Sequence, residues 1–204
     1  MPYIKETHSS LIQLLNTLQP ISEDLHQFIL TNFEYKVVAK DKTISRFGDT
    51  DNNLWFIAAG SLRVFFPCET SDDIDKEHTT RLICEGSFVV SSVGFFNRRK
   101  TLDCVETLEQ STLLKLSREN WDKMHQQFPE INYHSRIILE QYNAQISMRE
   151  YMIRKDSAEE RFKVFIEEYT HLHSKFPERY LASFCGMGRS TFSALKNKKY
   201  KGGG

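Results

Sequence analysis

The sequence predicts an α+β protein built from three successive parts. Between about residues 35 and 116, short alternating segments are separated by frequent turns, which is typical of an antiparallel sandwich or barrel. The stretch 129–155 has no proline or glycine after its first residue and repeats apolar residues at helical spacing, so we expect a long helix. A basic, helical tail follows it. The predicted parts are therefore 1–128, 129–155 and 156–204.

The composition sets loose limits on function. Lys plus Arg and Asp plus Glu both total 27, so the net charge indicates no partner. From Arg179 to the C-terminus there are six basic residues and no acidic one, which suits contact with phosphates, although a solvated tail has the same composition. No apolar run is long enough for a membrane span and no signal-peptide pattern is present, so we expect a cytoplasmic protein.

Catalytic and metal-binding motifs are absent from the sequence. The four cysteines are widely spaced, without a CxxC pair or a nearby histidine, and are interpreted as small buried side chains. Glycine-rich phosphate loops, HExxH and nucleophile-elbow sequences do not occur. We expect neither an enzyme nor a metal site, and no cofactor is identified. A haem-binding histidine is compatible with the sequence, but His171 and His173 are placed in a loop.

The first 34 residues predict two helices. Apolar residues between Ile4 and Leu18 recur at helical spacing. Ser22 is an N-cap residue followed by two carboxylates that complement the helix dipole, and the helix that it begins ends before Tyr35. The apolar side chains that we expect this second helix to direct toward the core are Leu25, Phe28, Ile29 and Leu30.

The apolar period then changes from near four to two. The predicted strands cover about residues 35–39, 43–45, 54–59, 62–66, 79–84, 101–107 and 111–116. Turns are expected at Asp41-Lys42, Gly60-Ser61 and Leu108-Gln110, and the acidic stretch 72–77 is interpreted as a solvated hairpin tip. Ser117 then caps a short helix that leads into the long one.

The long helix has more apolar surface than one small sandwich covers. At 1.5 Å per residue it would be roughly 40 Å long. Its apolar stripe consists of Ile131, Ile138, Tyr142, Ile146 and Ile153. We expect the exposed remainder of this stripe to bind a second subunit. A helix that lies on its own domain without a partner is the alternative.

The tail predicts two short helices around a tight turn. Gly186 is placed for a turn that needs a positive φ. The apolar residues that we expect to be buried are Tyr180, Leu181, Phe184, Phe192 and Leu195. Such a pair forms a helix-turn-helix, whose second helix lies in the major groove of DNA. The candidate DNA contacts are Arg189, Ser190, Thr191, Ser193, Lys196, Lys198 and Lys199. A small helical cap for the long helix explains the same pattern.

The order of these parts resembles the cAMP receptor protein and Fnr (Crp/Fnr) superfamily of bacterial regulators, in its Bacteroidetes form. The matching segments are Phe47-Gly48-Asp49, Leu54–Ile57, Gly60–Val64, Ser157–Phe162 and Pro177–Met187, within about residues 20–198. The resemblance implies a cyclic-nucleotide-binding-like jelly roll as sensor, a dimerisation helix and a helix-turn-helix DNA-binding domain.

The ligand segment departs from the family pattern. Gly86-Ser87-Phe88 matches the start of the nucleotide-binding cassette, but Val90 and Ser91 stand where the family has glycine and glutamate, and the arginine position falls on Lys100 or Thr101. The resemblance therefore implies a pocket that does not hold cAMP or cGMP in the usual way. The candidates for binding another small or anionic effector are Ser91, Ser92, Arg99, Lys100, Thr101 and Ser147. A solvated loop explains the basic run equally well.

The second helix of the tail also departs from the family, since Ala194 replaces a second arginine. The chain ends soon after Lys199, so we expect no β-hairpin wing and a strong dependence on DNA-backbone contacts and dimer geometry. We predict a homodimeric transcription regulator that binds double-stranded DNA and senses an unidentified effector. The alternatives are a ligand- or protein-interaction module that has lost DNA binding, and a DNA-binding protein without an effector.

Overall fold

A computed structural model describes residues 2–67 and 77–201, with side chains described for 7–67 and 77–199. The helices are α1 (Pro2–Leu18), α2 (Glu23–Asn32), α3 (Ser92–Asn97), α4 (Arg118–Gln127), α5 (Ile131–Ile153), α6 (Ala158–Glu168), α7 (Thr170–His173), α8 (Glu178–Phe184) and α9 (Arg189–Lys201). The strands are β1 (Glu34–Val38), β2 (Thr43–Ser45), β3 (Asn53–Ala59), β4 (Ser61–Phe66), β5 (His78–Cys84), β6 (Ser87–Val89), β7 (Cys104–Thr107) and β8 (Ser111–Ser117).

The chain packs into two compact units. The first, called the roll unit here, comprises Met1–Val64 and Ile83–Glu140. The second, the tail unit, comprises Phe65–Leu82 and Gln141–Gly204. Strands β4 and β5 and helix α5 each continue from one unit into the other.

The strands form two four-stranded sheets, in the orders β1-β8-β3-β6 and β2-β7-β4-β5. The pairs β1–β8, β3–β8, β3–β6 and β2–β7 are antiparallel, with Tyr35 opposite Leu114 and Phe56 opposite both Leu114 and Phe88. Apart from β4 and β5, which are neighbours in one sheet, successive strands alternate between the two sheets, as in a jelly roll. The predicted fold class is therefore confirmed.

Strand β3 shows how the period of two divides the core of the roll unit. Its residues Leu54 and Phe56 join one apolar cluster with Leu11 and Ile29 of the N-terminal helices. Its residues Trp55 and Ile57 point the other way, into a second cluster that both sheets line. Strand β8 divides in the same manner. Both faces of these central strands are thus buried.

The capping residues and turns in the sequence predicted most helix ends correctly. Ser22 caps α2 by accepting the N–H of Leu25, and Ser117 caps α4 by accepting the N–H of Asn120. The long helix is two residues shorter at each end than predicted. Its 23 residues give a length of about 35 Å. Gly60 has φ +101° at the β3–β4 reversal, where a Cβ atom would overlap the side chain of Ser111.

Several predictions about single elements are wrong. The strand predicted from residue 101 begins only at Cys104, because the Thr101 N–H bonds the carbonyl of Asp49 and its hydroxyl bonds the carbonyl of Arg46. Residues 170–173, predicted as a loop that contains His171 and His173, form the short helix α7. Strand β6 and helix α3 were not predicted.

Two apolar residues lie outside the core, and one of them, Leu30, was expected to point into it. Leu30 of α2 is 39% exposed and Val37 of β1 is 51% exposed, whereas Leu25 and Ile29 are buried as predicted. Among the cysteines, Cys104 and Cys185 are buried and Cys84 is half-buried. Cys68 and most of the predicted acidic tip fall outside the described residues.

The described part of the chain contains no helix long and apolar enough to cross a bilayer. Within the same residues, no three potential ligands among His, Cys, Asp and Glu are grouped so that they could hold a metal ion.

Candidate nucleic-acid interface and effector segment

An aromatic core in the tail unit holds α8 and α9 against α6. The ring of Phe192 on α9 packs edge-on against Phe162 and Phe165, with centroids 5.3 and 5.5 Å apart. Tyr169 and Phe184 form a second edge-to-face pair at 5.1 Å. Phe192 is fully buried. Because this side chain fixes one face of α9 inward, the opposite face is directed to solvent.

The turn between α8 and α9 depends on Gly186, which has φ +63° as the sequence predicted. The N–H groups of Gly186 and Met187 bond the carbonyls of Ser183 and Ala182, both at 3.0 Å, and so satisfy the end of α8. A Cβ atom at Gly186 would lie 3.1 Å from Cδ1 of Ile153. The turn therefore packs closely on the end of α5.

Arg161 of α6 secures this turn. Its guanidinium donates to the carbonyls of Cys185 at 3.1 Å, Gly186 at 3.3 Å and Lys155 at 2.9 Å. One side chain thus connects the helix-turn-helix to the residues that follow α5. The sequence did not predict this role, because the carbonyl partners lie up to 25 positions away. The one signal in the sequence is the residue type, since arginine is a long side chain with five N–H donors.

The predicted DNA contacts share the surface of α9. The exposed members are Arg189, Ser190, Thr191, Lys198 and Lys199, and the half-buried members are Ser193 and Lys196. Of the buried face, Phe192 is enclosed as predicted, whereas Leu195 is only half-buried.

Two of these lysines pair with carboxylates of the tail unit. Lys196 forms an ion pair with Glu178, and Lys198 forms one with Glu159 at 2.9 Å. No carboxylate among residues 7–67 and 77–199 forms an ion pair with Arg189 or Lys199. The Lys198 pair is exposed, and pairs of this kind contribute little stability. A phosphate can therefore replace the carboxylate there at small cost.

In the roll unit, the hydroxyl groups of the predicted effector segment bond to the protein itself. Ser91 is fully buried and donates to Asp103 Oδ1 at 2.6 Å. Thr101 is also buried, and its hydroxyl donates to the carbonyl of Arg46. Ser92 is half-buried at the first position of α3. The carboxylate beside Ser91 makes this point unfavourable for a phosphate.

The basic residues of the segment lie at the surface. Arg99 and Lys100 are exposed and border an open depression of about 470 Å³ together with Val93, Asn97 and Leu102. Ser147 is exposed on α5 in the tail unit. The structure thus brings Arg99 and Lys100 together, while the buried hydroxyls of Ser91 and Thr101 already have partners.

The interior of the roll unit contains two charged groups that the sequence did not single out. Arg63 is 2% exposed, and its Nε bonds Glu106 Oε2 at 2.7 Å between the neighbouring strands β4 and β7. Asp51 is 5% exposed and accepts the N–H of Asn53 at 3.0 Å. Burial raises the pKa of the Asp51 carboxyl, despite the opposing effect of its hydrogen bonds.

The apolar stripe predicted on α5 is only partly covered. Ile131 is buried and Ile138, Tyr142 and Ile153 are half-buried, whereas Ile146 is 42% exposed. Further exposed apolar residues on this helix are Tyr133, Leu139 and Tyr151.

A jelly roll, a long helix and a helix-turn-helix in this order constitute the fold of the Crp/Fnr regulators. No family model matches the sequence, and no curated protein matches it. Solved structures do match. They include the c-di-GMP responsive global regulator CLP of Xanthomonas campestris, with 17% identity over 89% of this chain and 93% of that one, and a TM-score of 0.69.

Two further structures show the same likeness. A CooA mutant of Carboxydothermus hydrogenoformans has 16% identity over 95% of this chain and 85% of its own, with a TM-score of 0.70. A Eubacterium rectale protein assigned to the Crp/Fnr family has 15% identity over 89% and 85%, with a TM-score of 0.66. At these identities the likeness establishes the fold. The fold implied by the sequence resemblance is thereby confirmed.

Proposed function

We propose that this protein is a homodimeric DNA-binding transcription regulator whose jelly roll senses a small effector. The observation that carries the proposal is the α8–turn–α9 pair. Its turn is built on a left-handed Gly186, and α9 directs Arg189, Ser190 and Thr191 at its N-terminal end toward solvent. Residues at the start of a recognition helix are the ones that reach base edges in the major groove.

The charge pattern supports the same function. Arg189 and Lys199 have no ion-pair partner among the described carboxylates, so their charges remain available to phosphates or bases. They lie ten residues apart on α9, which separates their Cα atoms by about 15 Å along the helix. Arginine suits a bidentate contact with guanine, while lysine acts as a point charge on the backbone.

The effector is proposed to be something other than a cyclic nucleotide held in the usual way. Ser91 faces the carboxylate of Asp103, and the buried guanidinium of Arg63 is neutralised by Glu106. A cyclic phosphate would need an uncommitted buried cation. The exposed pair Arg99 and Lys100 suits a weakly bound anion at the surface.

The test is selection of DNA by the purified, full-length protein. A pool of random duplexes is titrated by fluorescence anisotropy at several salt concentrations, and the retained DNA is sequenced. A palindromic site with a steep salt slope supports the regulator. If no duplex binds at low salt, with or without a panel of candidate anions, the interaction module is favoured.

A further inference from the structure

Ser183, in the last turn of α8, joins this helix to strand β5 within the tail unit. Its hydroxyl donates to the carbonyl of Glu77 at 2.6 Å and accepts the N–H of Thr79 at 2.9 Å. One side chain therefore satisfies both backbone groups that an adjacent strand would otherwise satisfy. This contact joins positions more than 100 residues apart.

Arg149 connects α5 to the same point. Its Nη2 donates to the carbonyl of Thr79 at 2.9 Å, and the guanidinium lies 5.3 Å from the ring centroid of Phe184 on α8. Burial lowers the pKa of Arg149, and no carboxylate among the described residues pairs with it. Its Nε is buried without a described partner. Burying an arginine without a carboxylate costs free energy. We therefore interpret Arg149 as a donor to the carbonyl of Thr79 rather than as a partner for a negative charge.

The helix-turn-helix is thus attached to α5 at two places. At the turn, Arg161 bonds residues 155, 185 and 186, and Gly186 lies against Ile153. In the last turn of α8, Ser183 and Arg149 meet on the backbone of residues 77–79. A single attachment leaves a pivot, whereas two attachments fix the rotation of α8 and α9 about α5.

We infer that Ser183 and Arg149 are positioning residues for DNA binding. Together with the backbone of residues 77–79 they form a clamp that sets the orientation of the α8–α9 pair on α5. In a two-fold dimer formed through α5, this orientation determines the separation of the two α9 helices. The clamp therefore determines which spacing between DNA half-sites the dimer accepts. The inference rests on the proposed function.

The clamp would strengthen DNA binding by preorganising the two recognition helices. When both recognition helices already have the correct separation, the second half-site is bound without the cost of ordering a mobile domain. A loosened clamp leaves contacts with each half-site intact. It removes only the preference for one separation.

The test compares duplexes with two copies of the selected half-site, whose centres are moved apart stepwise around about 10 base pairs. We expect the natural protein to favour one spacing by at least about tenfold. Ser183→Ala and Arg149→Met should reduce this preference to roughly threefold or less. Ser183→Thr, which keeps the hydroxyl, should retain it, as should Ser174→Ala at an exposed position of the same unit.

Hydrogen exchange without DNA provides an independent measurement. The amide of Thr79 donates directly to Ser183, so it should exchange faster in Ser183→Ala than in Ser174→Ala. Faster exchange with an unchanged spacing preference overturns the inference and leaves the regulator function intact. Unchanged exchange at Thr79 also overturns it. Absence of DNA binding by the natural protein refutes the proposed function before any variant is compared.

Discussion

At the scale of single residues, Arg189 and Lys199 are the residues of α9 for which we expect the most distinct roles, in base recognition and in backbone binding. Arg189 begins the helix and is exposed, in the position from which base edges are reached. Lys199 lies near its C-terminal end. Lys198 is a less clean probe, because removing it would leave Glu159 unpaired and add a net negative charge near the DNA.

We expect Arg189→Ala to reduce the preference for the selected site over random DNA by about 1–3 kcal/mol, because a bidentate base contact is lost. Lys199→Ala should weaken binding to all duplexes and reduce the salt slope by about one. Lys175→Ala, an exposed lysine elsewhere in the tail unit, controls for net charge. Anisotropy titrations across salt concentration measure both effects. Equal loss of specificity in the two α9 variants would contradict this assignment.

Asp51 gives a prediction about pH. Its pKa is raised in the folded protein, mainly by burial, so above the ordinary value of 3.8 the folded state binds more protons than the unfolded state. The free energy of unfolding therefore falls as pH rises through this window and stays lower above it. Asp51→Asn keeps the shape of the side chain and removes the titration.

The measurement is denaturant unfolding between pH 3.8 and neutrality. The fluorescence of Trp55 and Trp121, both in the roll unit, monitors the transition. The free energy of unfolding of Asp51→Asn should fall less with rising pH than that of the natural protein. Glu167→Gln, at an exposed position, should follow the natural protein. Identical slopes for Asp51→Asn and the natural protein would show that the carboxyl has no raised pKa.

At the scale of elements, the backbone conformation of the α8–α9 turn restricts which residue can occupy position 186. Gly186→Ala places an L side chain at φ +63° and a Cβ atom 3.1 Å from Ile153 Cδ1. The left-handed conformation costs about 1–2 kcal/mol for residues other than glycine. We expect amides of α8 and α9 to exchange roughly tenfold faster in this variant.

Gly188 provides the matched control for this prediction. It lies two residues further along the same turn, where a new Cβ atom would meet nothing closer than Ser190 Oγ at 4.0 Å. Gly188→Ala should leave the exchange rates of α8 and α9 nearly unchanged. If both variants accelerate exchange equally, the effect arises from general loosening of the turn rather than from the conformation of Gly186.

The elements also show what the sequence can predict. Local chemistry identified Ser22 and Ser117 as caps and Gly186 as a left-handed turn, because each signal lies within a few residues of its effect. Contacts between distant segments gave no such signal. Ser91 was predicted as a ligand residue, yet its hydroxyl is bonded to Asp103. The roles of Arg161 and Ser183 emerge only when segments 24 and 106 positions apart are brought together.

At the scale of the whole molecule, α5 is the element through which two copies would meet. Leu139 is 44% exposed in the roll unit and Ile146 is 42% exposed in the tail unit. They are seven residues apart, so they lie on nearly the same side of the helix. Exposed apolar residues at this spacing suit a parallel pairing of α5 with the same helix of a second chain. Such pairing would also supply the two-fold axis that a palindromic site requires.

Charged substitutions at Leu139 and Ile146 should separate the proposed dimer. Each apolar side chain buried at the interface contributes about 2 kcal/mol, and the symmetry doubles the effect, so Leu139→Glu should raise the Kd of dimerisation roughly a thousandfold. Ile146→Glu should act similarly. Gln141→Glu adds the same charge about 200° around the helix from Leu139 and should leave the Kd nearly unchanged. Sedimentation velocity over a range of protein concentrations measures the Kd of the natural protein and of the three variants. Equal constants for Leu139→Glu and Gln141→Glu would place the dimer interface elsewhere than on α5.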